Sequence, residues 1–323
     1  MANKKFIFPL FFVLIVSAAS AQKTAYAFSP KWKIGDKRTI SIVQKEKELK
    51  KEKWTEEEPN IVAAEITVTK EDNENYFLKV LYENVAMTSA IKFYDRLGEE
   101  LADYKNLDLQ YKVNKQTGKP ELLNWQEAQQ FVNKSFEQID SLLQKKVPDD
   151  AEFAGYAFAP IKKIFESQEN IESYMTDNIG YIFFPYNKQY IVGDTMRIVE
   201  RCENPLSPGD TTTQTTISYL SKIDDANKRC TIYSSAILDL TEFKKMMITM
   251  MQTMTSAFGA EDSVKTKATK EINELDFDVT NSTTIDYDYG TSWPIEIVKL
   301  VRVTGSDPSG KRETTVSSTV TIK

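Results

Sequence analysis

Four carboxylates raise the question of chemistry first. Asp276 with Asp278, and Asp286 with Asp288, each put two acids on one face of an alternating segment, a pairing that acid–base hydrolysis could use. Their opposite faces carry Leu275, Phe277 and Val279, and Ile285, Tyr287 and Tyr289, which read as the core side, so the acids are expected to face water. The order Asp286-x-Asp288-x-Gly290 lacks the third oxygen ligand and closing Glu of a calcium loop. Met246, Met247, Met250, Met251 and Met254 could hold Cu(I) through thioethers, or offer an adaptable surface to a lipid chain. Met247, Met250 and Met254 follow the apolar stripe and read as core, leaving Met246 and Met251, with Phe258 nearby, as ligand-facing candidates. Tyr181 and Phe183 join them from the aromatic run 179–190, for which a buried strand is the plainer expectation.

Two absences bound the chemistry further. The chain has no His, which removes Ser-His-Asp and Cys-His catalysis and imidazole-bound zinc. It has two cysteines, Cys202 and Cys230. Two cysteines in an exported chain default to one disulfide. A meander of strands over 195–202, 214–222 and 229–238 instead puts them at opposite ends of a sheet, beyond bonding reach. Both readings stand at this stage. No phosphate loop, nucleophile elbow or metal motif is present, so no cofactor and no enzymatic activity are expected.

The 323 residues carry a formal net charge of −6 and no basic arm or stripe, against a nucleic-acid partner or an anionic lipid surface. Residues 1–21 read as a signal peptide. Lys4 and Lys5 precede the apolar run Phe6 to Val16, and Ala19-Ser20-Ala21 offers a cleavage site before Gln22. That run is short of the ~20 residues a spanning helix requires, and no later segment is apolar enough to cross a bilayer. With no cysteine near the cut, a lipid anchor is not expected. The product is expected to be exported, periplasmic or secreted.

The elements follow from periodicity. Strands are predicted at Thr39–Gln44, Ile61–Thr69, Tyr76–Tyr82 and Leu107–Val113, and the dense charges of 45–58 read as a solvated hairpin extension or loop. Met87, Ile91, Tyr94, Leu97 and Leu101 have helical spacing. Asn124 with Glu127 signals a capped helix bearing Trp125, Ala128, Val132, Phe136, Ile139 and Leu143. A second helix is expected from Pro160 through Met175. Further strands are expected at Thr195–Cys202, Thr211–Lys222, Cys230–Leu238, 275–289, 293–304 and Thr314–Ile322, with a helix over Leu240 to Phe258 between the third and fourth.

One pattern occurs twice. Phe28-Ser-Pro-Lys-Trp-Lys-Ile34-Gly35-Asp36 leads into a β-branched run, and Phe184-Pro-Tyr-Asn-Lys-Gln-Tyr-Ile-Val192-Gly193-Asp194 does the same. Gly permits the tight turn and Asp can accept from the next amides. The later turns at Gly118-Lys-Pro120 and Gly290-Thr-Ser-Trp-Pro294 match as well, once the longer charged loop of the second half is allowed for. In this pattern the chain resembles exported two-repeat β-rich envelope proteins of Gram-negative bacteria, and more distantly the lipoprotein-carrier half-barrels. The expected fold is α+β. A first β-rich repeat covers 22–120, a helical segment 121–178 and a second repeat 179–323, giving two similar curved antiparallel sheets, each with a packed helix. The expected function is a non-enzymatic envelope protein that binds an apolar ligand, lipid or lipoprotein. A structural or interaction protein of an envelope assembly comes second, and a His-free carboxylate hydrolase third.

Overall fold

The computed structural model describes residues 24–50, 52–83, 106–146, 162, 165–186, 188–203, 211–238, 276–307 and 310–323, with 241, 245, 248, 249, 251, 252, 263, 266, 269, 270 and 272. Seven strands come first: β1 (Ala25–Ala27), β2 (Lys37–Lys50), β3 (Lys53–Glu56), β4 (Asn60–Glu71), β5 (Asn75–Glu83), β6 (Asn106–Asn114) and β7 (Pro120–Leu122). Helices α1 (Trp125–Lys146) and α2 (Gln168–Phe183) follow. Then come β8 (Gln189–Ile191), β9 (Met196–Glu203), β10 (Thr211–Asp224), β11 (Arg229–Leu238), β12 (Asp276–Asp288), β13 (Trp293–Asp307) and β14 (Gly310–Ile322).

The two expected sheets are one. Twelve strands run antiparallel in the order β7-β6-β5-β4-β2-β14-β13-β12-β11-β10-β9, with β3 beside β2, while β1 and β8 form a separate pair. The junction is the last strand on the first: β14 pairs with β2 from Ile322↔Ile40 to Glu313↔Leu49. Charge does not stop β2, which stays extended through Lys45 to Lys50 because β14 and β3 take its backbone hydrogen bonds on either side. The first and second meanders share their register. Ile40 faces Ala64 as Ile198 faces Thr216, and Val68 faces Leu78 as Leu220 faces Ile232. Leu78 faces Tyr111 as Ile232 faces Ile285. Even the bulge recurs, at Val68/Lys70 and at Leu220/Lys222.

Turns recur too. Gly35 (φ 89°) and Gly193 (φ 80°) both sit before an Asp whose amide bonds back, Asp36 to Lys33 O at 3.0 Å and Asp194 to Ile191 O at 3.0 Å. The later turn corrects the sequence match by two residues. Gly118 (φ 66°) corresponds to Ser292 (φ 62°) rather than Gly290, because both amides bond four residues back, to Asn114 O and Asp288 O, at 2.8 Å each. In each turn the side chain of that residue accepts two further amides: Asn114 Oδ1 those of Gln116 and Thr117, Asp288 Oδ1 those of Gly290 and Thr291.

The helices seal the first half. Ala128, Val132, Phe136 and Ile139 of α1 and Ile171, Met175, Ile179 and Ile182 of α2 are buried with Ile66, Leu78, Val80, Leu109 and Tyr111 in one core. Fully burying each such large side chain is worth about 1.5–3 kcal/mol. Asn124 stands at the expected helix start and pairs with Glu127, donating from Nδ2 to Glu127 Oε2 at 2.7 Å, but it does not cap with its side-chain oxygen. Its side chain serves β6, accepting from Gln110 N at 2.8 Å and donating to Asp108 O at 2.9 Å, and so ties the start of α1 to the sheet. Helix α2 begins at Gln168, capped by Ser167 Oγ accepting from Asn170 N, while the expected start at Pro160 lies outside the described residues. It runs through residue 179, the expected start of the second half. Ile179 to Phe183 are therefore helical and not a strand, since Ile171, Met175, Ile179 and Ile182 fall on one stripe of period 3.6.

Candidate functional site

The lead-in segments of the two halves meet under the sheet. Phe28 bridges Tyr186, and Trp32 lies against Trp293, Phe183 and Tyr186 at ring distances of 4.8, 5.7 and 5.9 Å. Ser292 O accepts from both Trp32 Nε1 (3.0 Å) and Tyr186 Oη (2.6 Å), so its left-handed backbone serves the junction. Burial, with Tyr287 beside it, raises the Tyr186 hydroxyl well above its usual titration range. This cluster is aromatic packing.

Phe183, a ligand candidate from sequence, belongs to that junction and is 4% exposed. Tyr181, the second candidate, is half-buried, its hydroxyl accepting from Lys299 Nζ, whose ammonium lies 5.0 Å from the ring centre. Met251 is exposed, and Met246 and Phe258 lie outside the described residues. Cys230 is a buried free thiol, pushed up to about 12 by burial first and by Asp286 second. The register places Cys202 opposite Thr212 and Cys230 opposite Ile223, at the two ends of β10, roughly 35 Å apart at about 3.3 Å per residue. The disulfide is therefore excluded, as the meander geometry anticipates. Asp278 and Asp286 are exposed on the face away from the core, with Thr231 Oγ1 donating to Asp286 at 2.6 Å, and Asp288 is spent on its turn. Among the described residues no three acids or cysteines converge as metal ligands.

The shared register lets the two halves be compared residue by residue on the core face. Ile66, Val80 and Leu109 are each 0% exposed in the first half, and their counterparts in the second are Ser218, Ser234 and Thr283. One row further on, Ala64, Tyr82 and Leu107 become Thr216, Ala236 and Asn281. The row through Leu220, Ile232, Ile285 and Ile297 stays apolar and buried. The second half thus carries a hydroxyl row, Ser218–Ser234–Thr283, which continues into Lys299 on β13 and Ser318 on β14. Ser218 is 1% exposed and its hydroxyl has no partner. Beyond this row the face turns apolar again at Val279, Val301 and Val316, half-buried, and Val303, 40% exposed. No single position signals this strip in sequence; only the register that aligns the halves brings it out.

Among the described residues, cavities lie elsewhere. A polar groove of about 860 Å³ runs between α2 and the β6–β7 turn, lined by residues including Glu74, Lys112, Thr117, Glu121, Glu169 and Glu172, with Lys112 paired to Glu121 at 2.7 Å. A cavity of about 70 Å³ lies by Phe28, Lys31, Tyr287 and Ser292. At its edge Asp225 accepts from Tyr26 at 3.0 Å and Tyr289 at 2.8 Å. Neither is lined by methionine. Among the described residues no helix is long and apolar enough to cross a membrane. Compared with known proteins, the chain matches no family model and no curated sequence.

Proposed function

We propose that this chain is an exported, non-enzymatic binding protein whose first half is a filled scaffold and whose second half holds an apolar or amphiphilic ligand, a lipid or a lipidated protein, on its core face. The observation that carries the reading is the divergence of the two halves on one register. Where the first half buries Ile66, Val80 and Leu109 under two helices, the second has the hydroxyls of Ser218, Ser234 and Thr283, and beyond that row it keeps Val279, Val301, Val303 and Val316 only partly covered. A monomer that needed this face only for stability would gain by filling it as the first half does. The leader residues Met1 to Ala21 support export.

Purification of the mature chain from a native envelope, followed by native mass spectrometry and organic extraction, tests the reading. A stoichiometric co-purifying lipid is the expected result. A clean apo mass would turn the assignment to an interaction protein of an envelope assembly. That second reading is favoured by the opposite face of the same strands, where Val199 is 60%, Ile237 51% and Leu300 38% exposed. A pull-down with the wild-type chain against one carrying Val199→Ser and Ile237→Ser would then decide it.

A further inference from the structure

We propose that Lys299, with Thr283 and Ser318 beside it, is an oxyanion site, so that the ligand of the second half is an amphiphile with an anionic head group. The inference rests on the reading that this half holds a ligand, and it names the chemistry of that ligand's head. Lys299 points to the core face from the middle of β13, directly opposite Thr283 on β12 and Ser318 on β14. Opposed side chains on neighbouring strands stand about 4.5–5.5 Å apart at Cβ, close enough for three groups to share one phosphate or carboxylate.

The ammonium is part-buried, and its partners are the hydroxyl and ring of Tyr181, both uncharged. The nearest core-face carboxylate by register, Glu46 on β2, is two strands and one row away, about 12 Å between backbones. Among the described residues no carboxylate pairs with Lys299; a part-buried cation in that position is costly, and an incoming anion is what would compensate it. A backbone-independent signal points the same way along the row. Ser218, three strands from Lys299 in the same row, keeps a buried, partnerless hydroxyl where the first half has Ile66, so the row stays polar where packing alone would favour an apolar side chain. On the other side of Lys299 the half-covered valines at 279, 301, 303 and 316 would take the apolar chain. Polar head and apolar tail thus have adjoining surfaces on the same strands.

The test is calorimetric titration of the mature chain with decyl phosphate, decanol and inorganic phosphate, each below any micelle concentration and at fixed ionic strength in chloride. Decyl phosphate is expected to bind more tightly than decanol. Lys299→Met is expected to weaken decyl phosphate by about 10- to 100-fold, the loss of a charge-assisted contact, and to leave decanol unchanged. Thr283→Val keeps the shape of the site and should weaken decyl phosphate alone, which guards against misfolding of the lysine variant. Equal binding of decyl phosphate and decanol, untouched by either substitution, would overturn the oxyanion site and leave the ligand-holding reading standing. Binding of inorganic phosphate alone, lost in Lys299→Met, would keep the site and overturn the amphiphile. No binding of any probe would overturn both.

Discussion

Gly118→Ala is the sharpest test of how the halves are joined. Gly118 has φ 66°, where a Cβ costs about 1–2 kcal/mol. The new methyl would also stand 2.6 Å from Tyr186 Cβ and 2.8 Å from its Cδ2. Tyr186 has little freedom to retreat, since its hydroxyl donates to Ser292 O at 2.6 Å and its ring packs on Trp32 at 5.9 Å. Overpacking of this kind costs about 1–3 kcal/mol, so the substitution should destabilise by about 2–5 kcal/mol in urea unfolding at neutral pH. Ser292→Gly is the paired control. It relieves a left-handed non-glycine at φ 62° and loses the bond from Ser292 Oγ to Ser29 O at 2.8 Å, two effects of about 1 kcal/mol that oppose. It should stay within about 0.5 kcal/mol of wild type. A Gly118→Ala protein as stable as wild type would refute both the contact and the assignment of Gly118 and Ser292 as counterparts.

Other outcomes follow from the same geometry. Ile66→Ser removes a 0%-exposed side chain and strands a hydroxyl beneath the helices, and should cost at least about 3 kcal/mol. Ser218→Ala, its counterpart, should be neutral or slightly stabilising, and a clear loss of stability there would mean the hydroxyl has a structural partner. Arg302→Met leaves the buried Glu313 carboxylate without its bidentate partner (2.7 and 2.9 Å). Because Arg302 itself is exposed while Glu313 is buried, the unfolding midpoint should fall, and a double-mutant cycle with Glu313→Gln should show the two side chains to be coupled. Cys230 should resist alkylation in the native protein and react in denaturant, as peptide mapping would reveal. Its folded thiol titrates near 12 against 9.0 unfolded, so the stability it contributes is complete below pH 9 and is lost as pH rises towards 12. Cys230→Ala should flatten that alkaline decline. Asp72, held below its usual 3.8 by the Glu74 and Asn75 amides, and Asp224, held below it by Asn227, work the other way. Their contribution is present above pH 3.8 and is lost as pH falls through the folded values. With no His to titrate between, unfolding midpoints should be nearly flat from about pH 6 to 8.

Much of the local structure was legible in the residues. Leu107, Leu109, Tyr111 and Val113 alternate with polar neighbours, and β6 follows that alternation with all four buried. The Gly-Asp turns read as turns because few residues other than Gly accept φ near 85° before a strand. Where two patterns overlapped, the reading failed. The run 179–183 is aromatic enough for a strand, but Ile171 and Met175, a turn or two earlier, draw it into α2. Of the ligand candidates, Phe183 went to the core because Trp32 needed an aromatic neighbour there, and Tyr181 is the one the structure places beside the hydroxyl row.

The sequence by itself determined the strand periods, the repeated Gly-Asp turns and the absence of imidazole chemistry, all of which depend on residue types or on residues near one another in the chain, while the distance between Cys202 and Cys230 waited for the register of β9, β10 and β11. Only the tertiary structure decided that two sheets are one. That outcome rests on β14 choosing β2, a pairing between the two ends of the chain that no local signal encodes. It decided as well that, among the described residues, Lys299 has no carboxylate beside it on the core face. A lysine's partners are set by which strands lie beside it, and Thr283 and Ser318 become its neighbours only once β12, β13 and β14 are in register.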